Sequence, residues 1–97
     1  MTLQELTAEI AISVQNAPIT GKTIKLVLDT GIVYIDLSQA PATVSNEDKD
    51  ADAVVTTTLE TLEKLSNKET NPMMAIISGK VTIAGDMAAA LQLQNIL

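Results

Sequence analysis

The chain has 97 residues, a net charge of −6 and no Arg, His or Cys. Six scattered lysines do not form the clustered positive charge that a phosphate backbone needs, so nucleic acid is excluded as a partner and strong membrane association is not expected. The absence of Cys and His rules out disulfides, thiolate chemistry, imidazole bases and zinc sites of the usual type.

Thr2 and Glu5 form a capping box at the start of a first helix, with Leu3, Leu6, Ile10 and Val14 on one face and Asn16, Ala17 and Pro18 ending it. A strand is predicted from Lys22 to Asp29, with Ile24, Leu26 and Leu28 on one side. Asp29-Thr30-Gly31 reads as a tight turn, and Ile32 to Leu37 returns as the second strand of a hairpin, with Val33, Ile35 and Leu37 alternating against Tyr34 and Asp36.

Residues 38–51 form a polar connection in which 42–45 add a short strand. A β-branched strand is predicted from Asp52 to Thr58, with Ala53 and Val55 inward. Thr57 and Glu60 repeat the capping-box pattern ahead of a helix bearing Leu59, Leu62 and Leu65, with Lys64 and Lys68 near its C-terminal end.

Asn71 as N-cap and Pro72 at the first helical position open a short helix that Gly79 ends. Lys80 to Ala84 alternates as a half-buried strand, and Gly85 breaks it. Asp86 caps one terminal helix whose apolar face is made of Met87, Leu91, Leu93, Ile96 and Leu97. So apolar a helix must lie against a core, a partner or a greasy ligand.

The order of elements predicts an α+β sandwich, with helices on one face of a mostly antiparallel sheet. The length makes one domain, 1–97. Hydrophobic residues are 46% of the chain with no Phe or Trp, so the interior is aliphatic. There is no signal peptide or membrane span, and Asn95-Ile96-Leu97 is not a peroxisomal address, so a cytoplasmic protein is expected.

Three short motifs in the chain have plainer readings. Asp29-Thr30-Gly31 matches the catalytic triplet of homodimeric aspartic proteases, yet the glycine-rich, nearly all-strand pattern of such a protease is missing and a hairpin turn explains the triplet. Asp48, Asp50 and Asp52 have calcium-loop spacing, but Ala53 and Leu59 stand where Gly and Glu are needed. Gly21-Lys22-Thr23 lacks the earlier Gly and the following helix of a phosphate loop. No catalytic residue, metal site or cofactor is expected.

Asn71-Pro72, Ala75, Gly79-Lys80 and Gly85-Asp86-Met87, with Asp50-Ala51-Asp52-Ala53 and residues 41–48 upstream, resemble the sterol carrier protein type 2 family, in particular its small stand-alone bacterial members. The resemblance covers roughly residues 20–97. It implies a five-stranded sheet covered by helices, an apolar tunnel between the layers, and non-catalytic binding and carriage of a fatty acid, fatty acyl thioester or sterol-like molecule. By periodicity alone the apolar residues of 73–91 read as core packing. The resemblance makes them tunnel wall: Leu26, Val33, Ile35 and Val55 from the strands, Met73, Ile76 and Ile77 from the short helix, Val81 and Ile83 from the last strand, and Met87 and Leu91 from the terminal helix. Gln94 is placed to meet a head group or water. Ile76 and Ile77 replace the paired aromatics that relatives often carry before the Gly-Lys. The rival reading is an interaction module that uses the apolar C-terminal helix, including weak homodimerisation through it.

Overall fold

The structure is a computed structural model that describes residues 2–96, except for the side chains of Gln94 and Asn95. Five strands form one sheet in the order β3-β2-β1-β4-β5. In chain order the elements are α1 (Leu3–Ser13), β1 (Lys22–Leu28), β2 (Gly31–Leu37), β3 (Thr43–Ser45), β4 (Ala53–Thr56), α2 (Leu59–Ser66), α3 (Pro72–Ile77), β5 (Thr82–Gly85), α4 (Met87–Leu91) and α5 (Leu93–Ile96).

The sheet is mixed. β1 pairs with β4 in parallel, and the other three pairings are antiparallel. A parallel neighbour needs a crossover. Here β2, β3 and residues 46–52 supply it, and that segment crosses the face of the sheet opposite the core. Lys25 Nζ reaches Asp48 Oδ1 at 2.9 Å, and the Tyr34 hydroxyl donates to the Asp50 carbonyl at 3.2 Å. Asp52 Oδ2 accepts from the Thr23 N–H at 2.9 Å and from the Thr23 hydroxyl at 3.2 Å. The aspartates with calcium-loop spacing therefore fasten the loop to the sheet. Among the described residues no group of three or more Asp or Glu is arranged to hold a metal ion.

The core lies on the other face. Ile24, Leu26, Leu28, Val33, Ile35, Leu37, Ala53 and Val55 are all buried, and the residues between them are more exposed. This is the alternation expected of a sheet covered on one side. Helix α1 contributes Leu6 and Ile10, and Val14 follows in a single 3-10 turn. The cap at Thr2 is as the sequence predicts, with its side chain accepting from the Glu5 N–H at 3.1 Å. Gly31 permits the close approach of α1, because a Cβ there would stand 2.6 Å from Leu3 Cδ2.

Two expectations differ in detail. The cap of α2 is Thr58, which accepts from the Thr61 N–H at 3.1 Å, while Thr57 is buried and donates to the Lys80 carbonyl at 2.9 Å. A register shift of one residue places Thr57 inside, because the inward positions of β4 continue at every second residue. The terminal helix is two short helices, α4 and α5, joined at Gln92.

A candidate lipid cavity at the edge of the sheet

Beyond β4 the two layers part. Strand β5 is an edge strand, and the helices near it are short. A cavity of about 530 Å³, partly open to solvent, lies there. Such a volume falls within the roughly 300–1,000 Å³ typical of small-molecule sites.

Its sheet wall is Val55 and Thr57, continued by Val81 and Ile83. Leu62 and Leu65 of α2 form the opposite wall, on the apolar stripe that also buries Leu59. Ile76 of α3 and Pro72 close one side, while Ala90 and Leu91 of α4 and Leu93 of α5 close another. With no Phe or Trp in the chain, no large ring is available to fill the gap. The polar lining comes mostly from one stretch, Ser66 and Lys68 to Asn71 between α2 and α3. The cavity is thus an aliphatic pocket with a polar segment along one part of its border.

Three local devices position these walls. The first is the end of α2, where the Glu69 N–H bonds the Lys64 carbonyl at 2.8 Å and the Lys68 N–H bonds the Leu65 carbonyl at 3.2 Å. Lys68 adopts φ +60 to do so, at the position where a helix usually has Gly. The second is the end of α3, where Gly79 takes the same place with φ +79 and the Lys80 N–H bonds the Ala75 carbonyl at 2.9 Å. The third is the start of α4. Asp86 Oδ1 accepts from the Ala89 N–H at 3.1 Å, and Asp86 Oδ2 lies 3.3 Å from Lys22 Nζ. Those two contacts, the N–H first, hold the Asp86 carboxyl below its usual pKa. Gly85 just before it lets the backbone approach β4, since a Cβ there would meet the Asp52 carbonyl oxygen at 2.3 Å.

Of the residues expected to line a tunnel, Val55, Ile76, Val81, Ile83 and Leu91 border this cavity. Leu26, Val33 and Ile35 lie elsewhere, in the closed core beneath the helices. Met73 and Ile77 point outward from α3 with exposures of 62% and 74%, and Met87 is 53% exposed on α4. Met87 and Ile77 therefore do not face one another across a tunnel. The reason is close packing of α4. Ala89 and Ala90 are its buried residues, and small side chains let a short helix lie close to β4 and β1 while the large ones turn to the edges. Leu91 is 44% exposed and sits at the border of the cavity. The side chain of Gln94 lies outside the described residues.

The sequence pattern does not point to Leu62, Leu65, Ala90, Leu93, Ser66 or residues 68–72 as part of the site. The leucine stripe of α2 was visible, but its direction depends on where α2 crosses the sheet. Asp29 has no place in this cavity. Its carboxylate accepts from the Leu59 N–H at 2.9 Å and so supports the first turn of α2.

The family model described as the SCP-2 sterol transfer family matches residues 3–97. The chain belongs to that family. It is 33% identical over 69 residues to hydroxysteroid dehydrogenase-like protein 2 of Danio rerio, a match covering 69% of this chain and 17% of that protein. The chain thus spans about a sixth of the length of this curated relative. The fold is similar to that of palmitated SCP2L2 of Aedes aegypti, with a TM-score of 0.65, 22% identity, and coverage of 99% of this chain and 94% of the other. It is also similar to part of the inverting sec-alkylsulfatase Pisa1 of a Pseudomonas species, with a TM-score of 0.76, 18% identity, and coverage of 100% of this chain and 16% of the enzyme. The α+β fold of the SCP-2 family, with its five-stranded sheet, is present here in full.

Proposed function

We propose that the chain is a non-catalytic lipid carrier that holds a fatty acid, a fatty acyl thioester or a sterol-like molecule in the cavity between α2, α3, α4 and the β4–β5 edge. The observation that carries this reading is a partly open space of about 530 Å³ walled by aliphatic side chains, in a chain of the SCP-2 family. Desolvation supplies the affinity, at about 0.8 kcal/mol for each methylene removed from water. Selectivity is correspondingly broad, because single methylenes discriminate weakly. The binding residues proposed are Val55, Leu62, Leu65, Ile76, Val81, Ile83 and Leu91. The similar palmitated protein supports a fatty acyl ligand. The similarity to part of a sulfatase and to part of a dehydrogenase-like protein supports a further role, presentation of the lipid to an enzyme.

Native mass spectrometry of the purified protein, followed by extraction of bound lipid, tests this reading. A lipid-sized mass increment that organic extraction removes is expected, with displacement by fluorescent fatty acid. A protein that carries no lipid and binds no fluorescent fatty acid would overturn it.

A further inference from the structure

We propose that the outer face of α3 docks on a phospholipid bilayer, so that the cavity exchanges its lipid through that face. The inference rests on the lipid-carrying reading of the cavity and names the surface it works against.

Helix α3 has two sides with different roles. Ala75 is buried and Ile76 borders the cavity, whereas Met73, Met74 and Ile77 turn outward. These three are 62%, 60% and 74% exposed on a helix of six residues, an unusual concentration of large apolar side chains in water. The patch adjoins the cavity directly, since Pro72 and Ile76 of the same helix line the cavity wall and are chain neighbours of Met73 and Ile77.

Charge favours a bilayer as the occupant. The chain carries twelve Asp and Glu, yet none stands between Thr70 and Gly85. A carboxylate there would have to be desolvated among lipid phosphates, or would repel them. The lysines are divided in the matching way. Lys22, Lys25, Lys49 and Lys64 each pair with a carboxylate, and among the described residues Lys68 and Lys80 do not. Those two lie just before and just after α3 in the chain, where their ammonium groups can meet phosphate oxygens while the apolar face enters the head-group layer. With a net charge of −6, docking would depend on apolar insertion and not on long-range attraction, so a zwitterionic surface suffices.

Flotation with phosphatidylcholine vesicles tests the proposal on the wild type and on the double variant Met74→Asp, Ile77→Asp. Both positions are exposed, and thermal melting followed by circular dichroism checks that the variant folds. Fluorescent fatty acid binding in solution, without vesicles, is measured in parallel. The expected result is a wild type that floats, and a variant that retains fatty acid binding but partitions about tenfold less for each substituted side chain. Failure of the wild type to float, or a variant that floats equally well, would overturn the proposal. Loss of a self-association by the variant, with no vesicle binding by the wild type, would assign the face to a second copy instead. If vesicle binding falls in the variant while neither protein binds fatty acid, docking stands and the carrier reading of the cavity fails.

Discussion

Asp86 performs two tasks through one carboxylate, capping α4 and pairing with Lys22. Its pKa is lowered first by the Ala89 N–H and then by Lys22. A carboxyl with a folded-state pKa below its unfolded value stabilises the fold above the unfolded value, and that contribution is lost as the pH falls through the lowered one. Stability should therefore decline as the pH drops below about 4. Asp86→Asn keeps a good capping side chain without the charge. Urea melts across this pH range should show a shallower decline in the variant; an identical slope would assign the effect to other carboxyls, Asp36 among them, whose pKa is lowered by its bonds to Ser38. Asp29 gives a second test at this scale. Its bond to the Leu59 N–H predicts that Asp29→Ala costs about 1 kcal/mol, while Asp29→Asn, which can still accept, costs less. Chemical denaturation measures both. Peptidase activity that appears in the wild type and vanishes in Asp29→Asn would contradict the structural role.

Among the elements, α2 and α3 end by the same hydrogen-bonding pattern with different residues. α3 uses Gly79, which takes positive φ without strain, and α2 uses Lys68. A left-handed backbone costs an L-residue roughly 1 kcal/mol. Lys68→Gly is expected to raise stability by about that amount, read as a higher urea midpoint at unchanged slope. A drop would mean that the Lys68 side chain contributes more than its backbone costs. The terminal segment shows a different effect. Its sequence reads as one helix with an apolar face of large residues, but the buried face is carried by Ala89, Ala90, Leu93 and Ile96 across a break at Gln92. Close approach to β4 favours alanine at the contact, and that displaces Met87 and Leu91 toward solvent.

At the scale of the whole molecule the interior has two regions. Under α1 and the central strands the core is closed by Leu6, Ile10, Ile24, Leu26, Ile35 and Leu37, all almost fully buried. At the β5 edge it opens into the cavity. A bulky substitution should act differently in each. Leu91→Trp stands at the cavity border and is half exposed, so it should melt close to wild type and weaken fluorescent fatty acid binding by about tenfold or more. Leu26→Trp would overpack the closed core and should cost about 1–3 kcal/mol or more. A Leu91→Trp protein that melts normally and binds as wild type does would remove α4 from the cavity wall. Fatty acid affinity should change little with salt, because the walls are aliphatic.

Local chemistry determined much of this protein. The period-2 alternation of β1 and β2, the cap at Thr2, the Asn71-Pro72 start of α3 and the glycine at its end are short-range choices, and each is legible within a few residues of sequence. So is the absence of Phe and Trp, which leaves an aliphatic interior. The parallel pairing of β1 with β4 was decided by tertiary structure, because it joins residues about thirty apart in the chain and no pattern within either strand names the other as its neighbour. The division of apolar side chains among closed core, cavity wall and exposed face was decided there too. Leu26, Ile76 and Ile77 are similar in size and hydropathy, and no local signal tells them apart. Their roles depend on which neighbour arrives: α1 and the central strands around Leu26, the opening beside β5 at Ile76, and solvent at Ile77.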